Sequence, residues 1–179
     1  GSNPDKGVMQ ASNGKLYGVC RFGGANGKGT LYEYDLTTST FTKRHDFDGT
    51  ATGQQPRGRL YQVGNVLVGV TQEGGTANVG TIFDFNINTN VLARRVTLVS
   101  ATQGANPASG LAPNNVNAQL YGVCTAGGAN GFGTIYSYNP TTFGYTKRFD
   151  MTGAVGGAAP FAELAPFGNL MYGVASAGG

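Results

Sequence analysis

Short runs of alternating apolar and polar residues, each closed by Gly, Asn, Asp, Ser or Pro, fill this chain from end to end. Thr30-Leu-Tyr-Glu-Tyr34, Thr81-Ile-Phe-Asp-Phe85 and Thr134-Ile-Tyr-Ser-Tyr138 are examples. Alternation with a period of two, in runs this short, predicts β-strands with turns between them. The pattern also recurs. Leu16 to Thr30 reads LYGVCRFGGANGKGT, and Leu120 to Thr134 reads LYGVCTAGGANGFGT, identical at 12 of 15 positions. A looser copy, LVGVTQEGGTANVGT, spans Leu67 to Thr81, and a fourth opens at Met171 as MYGVASAGG. A unit returning every 51 to 53 residues marks a repeat architecture.

A Gly-x-x-Pro mark heads each unit, at Gly1, Gly53, Gly104 and Gly157. It divides one repeat domain into units 1–52, 53–103, 104–156 and a partial 157–179. Each full unit reads as four short strands. The first follows the Gly-x-x-Pro turn, and the second is the LYGVC run. Gly18, Gly69, Gly122 and Gly173 lie inside that second strand, where a recurring glycine predicts close approach by another backbone. The glycine loop that follows, GGANGKG and its copies, leads into an alternating β pattern. Phosphate-binding glycine loops open onto a helix, so these read as turns. On the fourth strand, alternation places Phe41, Lys43, His45 and Phe47 on one face and Thr42, Arg44 and Asp46 on the other.

Composition narrows the class. Glycine is 31 of 179 residues and charged residues are 12%, but glycine does not fall on every third residue, which excludes collagen. Plentiful aromatic and β-branched residues exclude disorder. The net charge is +3, and six basic residues form the pairs Lys43-Arg44, Arg94-Arg95 and Lys147-Arg148. A nucleic-acid protein needs a denser basic face. The second residue of each pair, Arg44, Arg95 and Arg148, is read as an inter-unit or interface residue, with Asp46 and Asp150 as partners across the turn. No apolar run approaches the ~20 residues of a membrane helix. Cys20 and Cys124 hold equivalent places two units apart, beyond the ~7 Å reach of a disulfide, which predicts two free, mostly buried thiols.

Candidate chemistry is sparse. The single His45 occupies the place of Val96 and Phe149, a filler position without a repeated acid or nucleophile beside it. Asp35, Asp46, Asp48, Glu73 and Asp84 do not recur as the close pair that acid–base hydrolysis uses. The sequence therefore predicts no catalytic, metal or cofactor residues and no enzyme. Tyr17, Tyr121 and Tyr172 repeat at one position, and are candidate ligand-binding residues set against a core reading of the same strand.

A strand ending in double glycine, then Leu31-Tyr-Glu-Tyr-Asp35, then Phe41, resembles a Kelch-type repeat; unit three repeats it through Tyr145. The closer resemblance is to the GloVer-type tandem repeats of large bacterial surface and secreted proteins, with LYG, GG and GxGTIF in order. The resemblance covers the whole chain. It departs from Kelch at the usual tryptophan, which is Phe41, Leu92 and Tyr145 here. It implies an all-β fold, a β-propeller of four-stranded antiparallel blades, three of them plus the first half of a fourth. Such an array cannot close a ring by itself. It is expected to be a segment of a larger propeller, or to assemble from copies, with the remaining blades of a longer chain or copies of itself as partners. The expected function is a non-enzymatic structural or adhesive module, extracellular or at the cell surface. The alternatives are a propeller that binds glycans or surface proteins and a fragment of a Kelch-like secreted enzyme. Nucleic acid and a membrane span are not expected.

Overall fold

Alternation in the sequence becomes pairing in the computed structural model, which describes residues 1–114 and 116–179. Unit one forms β1 (Ser2–Pro4), β2 (Met9–Gln10), β3 (Leu16–Phe22), β4 (Thr30–Asp35) and β5 (Thr40–Asp46). Unit two forms β6 (Gln54–Val63), β7 (Val66–Glu73), β8 (Thr81–Asn86) and β9 (Val91–Thr97). A single helical turn, α1 (Ser100–Gln103), leads into β10 (Ala105–Pro107), β11 (Ala112–Pro113), β12 (Leu120–Ala126), β13 (Thr134–Tyr138) and β14 (Tyr145–Asp150). Unit four contributes β15 (Ala158–Pro160), β16 (Ala165–Phe167), β17 (Leu170–Tyr172) and β18 (Ala175–Ala177).

Each full unit is one antiparallel sheet with neighbours in chain order, β6-β7-β8-β9 in unit two. Units one and three repeat this order, with the first position split into two short strands, β1 with β2 and β10 with β11. Unit four has only the first two positions, as the pairs β15-β18 and β16-β17. The Gly-x-x-Pro mark, expected to be a turn before the first strand, lies within it: Pro4 pairs with Cys20, Pro56 with Thr71 and Pro107 with Cys124. Proline is tolerated there because the first strand is the edge of its sheet.

The glycines of the second strand do not admit a neighbouring backbone, as the sequence suggested. They admit an aromatic ring of their own sheet. Gly18 pairs with Tyr32, Gly69 with Phe83 and Gly122 with Tyr136. A Cβ on Gly69 would sit 2.5 Å from Phe83 Cζ and 2.7 Å from Leu60 Cδ2. The ring sits over the glycine, and in units two and three it packs against the sheet before it. Backbone does meet backbone one strand further in. A Cβ on Gly58 would run into the main chain of Gly110, and one on Gly110 would run into Arg59.

The sheets stack face to face, and each junction has its own core. Between units one and two lie Tyr17, Val19 and Leu31 against Leu60, Leu67, Phe83 and Phe85. Between units two and three, Val68, Val70 and Ile82 meet Leu111, Leu120, Tyr136 and Tyr138. The third cluster is smaller, with Val123 and Ile135 against Leu164 and Met171. Phe83 and Tyr136 are both fully buried.

Two substitutions test this packing by urea denaturation. Tyr136 Oη is buried without a hydrogen-bond partner, so Tyr136→Phe, the residue type unit two already uses, should raise stability by about 1 kcal/mol. Gly58→Ala should cost about 3 kcal/mol or more, because main chain must move. Gly14→Ala, also at positive φ but in open space, should cost only about 1–2 kcal/mol.

Candidate functional site

The junctions between units carry a repeated backbone clip. The third residue of each Gly-x-x-Pro mark is left-handed: Asn3, Gln55, Asn106 and Ala159 have φ of 53°, 53°, 58° and 49°. That turn of the chain aims its N–H at the preceding unit's glycine loop. Gln55 N–H donates to Lys28 C=O, Asn106 N–H to Val79 C=O and Ala159 N–H to Phe132 C=O, each at 2.8 Å. The proline that follows packs on the next loop glycine. A Cβ on Gly29 or Gly80 would lie 2.5 Å from Cδ of Pro56 or Pro107. The glycine loop is thus folded on itself, with Gly27 N–H on Gly24 C=O and Gly29 N–H on Gly23 C=O. It continues into β4 and not into a helix.

Charged side chains are used within and between the same sheets. A β-bulge on the fourth strand makes Arg44 the extra residue: Leu31 pairs with His45 while Tyr32 pairs with Lys43. Identical bulges fall at Arg95 and Arg148. The even alternation expected for Phe41 to Phe47 therefore breaks, and Lys43 and His45 face opposite ways. Because of the bulge, residues three apart share a face. Lys43 pairs with Asp46 at 2.6 Å and Lys147 with Asp150 at 2.7 Å. The first basic residue of the pair, and not the second, meets the aspartate. Asp46 and Asp150 also cap the glycine loops, accepting from Ala25 N–H and Ala129 N–H.

The bulged arginines turn to the third strand. Arg44 grips both oxygens of Glu33, which also accepts from Lys15 Nζ at 2.7 Å and Tyr17 Oη at 2.8 Å. Burial raises the Glu33 carboxyl, but these donors outweigh it and bring its pKa to about 2. Arg95 pairs with Asp84, and Arg148 donates to Ser137 Oγ and Gln119 Oε1. All three contacts lie inside one sheet. Arg95 alone also crosses a junction, its guanidinium 4.1 Å above the Phe143 ring of unit three. Arg94 crosses the other way, donating to Thr50 C=O.

The repeated tyrosines are not equivalent in surroundings. Tyr17 is 1% exposed and bound to Glu33, which leaves no ring face for a ligand. Tyr121 is half-buried and accepts from Asn117 Nδ2. Tyr172 is 53% exposed on unit four. His45 lies edge-on to Phe47, and its Nε2 is buried without a partner. Cys20 and Cys124 are free and buried, and burial pushes the Cys124 thiol up to about 12. Among the described residues, no group of three His, Cys, Asp or Glu side chains is placed to hold a metal, and no helix is long and apolar enough to cross a membrane.

Sequence reasoning missed several functional contacts. The Arg21 guanidinium of unit one reaches Gln55 and Gln72 of unit two, and Arg57 shares the Gln72 oxygen. Nothing in one unit's pattern signals this, because the partners come from different units. Glu33 had a signal, an acid recurring as Asp84 between two aromatics. A cleft of about 380 Å³ near the inner strands is lined by Met9, Arg59, Leu60, Gln62, Leu111 and Glu163, drawn from all four units.

Stacked antiparallel sheets of this kind define an all-β repeat protein with a propeller-like arrangement. The Gloeobacter/Verrucomicrobia repeat family matches residues 1–179, and the chain belongs to that family. The crystal structure of the tricorn protease is similar with a TM-score of 0.50 at 14% identity, covering 82% of this chain and 13% of that one. TolB from Acinetobacter baumannii gives a TM-score of 0.48 at 14% identity, covering 82% of this chain and 31% of TolB. At this identity the likeness to the tricorn protease concerns the fold alone. None of the curated proteins matches the sequence.

Two groups predict how stability follows pH. Burial lowers the His45 pKa below its ordinary 6.5, against the pull of Asp48 and Asp46. The unfolded chain then takes the proton first, so stability is full above pH 6.5 and falls as pH drops below it. His45→Phe, matching Phe149, should abolish this loss in urea midpoints measured across that range. Glu33 adds a second fall, from its ordinary 4.5 toward about 2, which Glu33→Gln should remove while costing roughly 1.5–3 kcal/mol at neutral pH.

Proposed function

We propose that the chain is a non-enzymatic structural module, a run of propeller blades in an extracellular or cell-surface protein, which works by joining further blades. Three blades of Kelch-like strand order and the first half of a fourth make up this reading. The carrying observation is the recurrence of one junction. The same main-chain clip and the same proline on glycine join each unit to the one before it, and a ring over glycine is added at the first two junctions. Charged residues serve these sheets too, in the Glu33 network, the bulged arginines and the aspartate-capped loops.

Both outer surfaces of the array support assembly. On unit one, Tyr32 and Phe41 stack at 5.2 Å between centroids, with Phe41 58% exposed. In units two and three the same surface is the buried half of a junction. On unit four, Phe167, Tyr172 and Val174 are exposed. Apolar patches of this kind mark interaction surfaces.

Light scattering over a range of concentrations, with a panel of glycans, proteins and surfaces, tests the reading. The expected result is a mass that rises with concentration, or retention on one class of surface, both weakened by Phe41→Glu or Val174→Glu. A chain that stays monomeric and is retained by nothing would end this proposal. So would steady turnover in a panel of hydrolase and oxidase substrates.

A further inference from the structure

Two guanidinium groups converge at the first junction. Arg21 of unit one donates from Nε and Nη2 to Gln55 Oε1 at 3.0 and 2.7 Å, and from Nη2 to Gln72 Oε1 at 2.9 Å. Arg57 donates from Nε to the same Gln72 oxygen at 2.8 Å. All four side chains are half-buried. Among the described residues, neither arginine forms an ion pair. Asp5 and Glu73 act on Arg57 only through space, and they accept hydrogen bonds from Gly58 N–H and Gln54 Nε2 instead. Burial, and then the charge of Arg21, lowers the Arg57 pKa.

The later junctions close without such a pair. Thr125 and Ser176 hold the place of Gln72, one residue beyond the partner of the Gly-x-x-Pro proline. Each hydroxyl donates to the carbonyl of its own unit's clip residue, Asn106 or Ala159. Ala108 and Phe161 stand where unit two has Arg57. The main-chain clip forms at all three junctions, so two adjacent cations are not needed to make it. What the pair adds is a surface of donors. The amide oxygens of Gln55 and Gln72 are spent on the arginines. Gln55 Nε2, Gln72 Nε2, Arg21 Nη1 and both Nη groups of Arg57 remain.

We infer that Arg21, Gln55, Arg57 and Gln72 form a binding site for a doubly charged tetrahedral oxyanion, a phosphate or sulfate group, held between units one and two. A site that offers only N–H donors and two positive charges selects a ligand that only accepts. Guanidinium forks match paired oxygens of such a group, and its two charges compensate both arginines. A carboxylate carries one charge and two oxygens, and leaves one guanidinium uncompensated. The inference goes beyond the reading of the chain as an assembling module and does not draw on it.

The test titrates the full chain with inorganic phosphate, inorganic sulfate and acetate at one fixed ionic strength. Calorimetry reads binding, and the thermal midpoint reads stabilisation of the folded chain. The expected result is saturable binding of phosphate and sulfate with a raised midpoint, and acetate bound at least about tenfold more weakly. Arg21→Gln and Arg57→Gln should each weaken phosphate at least about tenfold, the loss expected for charge-assisted hydrogen bonds. Arg57→Lys keeps the charge but loses the fork, and should fall between. Arg94→Gln, the same change of net charge on the fourth strand, should bind as the unaltered chain does. Glucose 6-phosphate separates the two sources of the group: tighter binding than inorganic phosphate places it on a larger ligand, equal or weaker binding makes it the free ion, and both support the site. A midpoint that is the same in acetate as in phosphate and sulfate would overturn the inference, as would full-strength binding to the chain carrying both Arg21→Gln and Arg57→Gln. The comparison of anions uses the unaltered chain, so it decides the matter even where a variant fails to fold. Neither result depends on whether the chain self-associates or is retained by a surface, so the two proposals fail separately.

Discussion

Each full four-stranded sheet in this chain depends on an aromatic ring lying over a glycine. A four-stranded sheet has two faces, and both are apolar here. A side chain on Gly69 would lift Phe83 off the strand and push the next sheet away, so the junction would open along its whole length. With glycine in place, the ring fills the hollow, Leu60 closes one side, and the outer face meets Val19 and Leu31 of the preceding unit. The clip from Gln55 to Lys28 and the proline on Gly29 join the same two sheets, which are close enough for main chain to reach main chain. Burial supplies the driving force at these junctions, and the clip fixes the register in which it is spent.

The bulge does for charge what the glycine does for packing. In a regular strand, residues three apart point to opposite sides. One extra residue at Arg44 and at Arg148 brings Lys43 onto Asp46 and Lys147 onto Asp150 while the arginine itself turns to the neighbouring strand. Unit two keeps the bulge but has Thr97 where the aspartate stands. Its freed Arg94 reaches across to Thr50 of unit one. A single backbone irregularity thus yields either a local ion pair or a tie between units, according to one side chain.

Much of this was legible in the sequence. The period, the strand positions, the turn character of the glycine loops and the two separate thiols follow from patterns within one unit. What a unit meets was not. Tyr17 and Tyr172 share a position in the repeat, yet one is buried on Glu33 and the other is exposed, because exposure is set by the strand beyond them. The alternation of Phe41, Lys43, His45 and Phe47 failed for a similar reason: a bulge is a relation between two strands, and one strand's pattern does not contain it. The glycine of the LYG run was read as a sign of close approach by another backbone, but what it meets is a ring from the same sheet. The backbone crowding sits at Gly58 and Gly110.

The clip has one more consequence. Its donor and its acceptor are both peptide groups, at positions held by Gln55, Asn106 and Ala159 on one side and by Lys28, Val79 and Phe132 on the other. Side-chain identity does not enter the bond. The bond itself is therefore indifferent to the side chains at these six positions, so units that differ in sequence there are still joined in the same way.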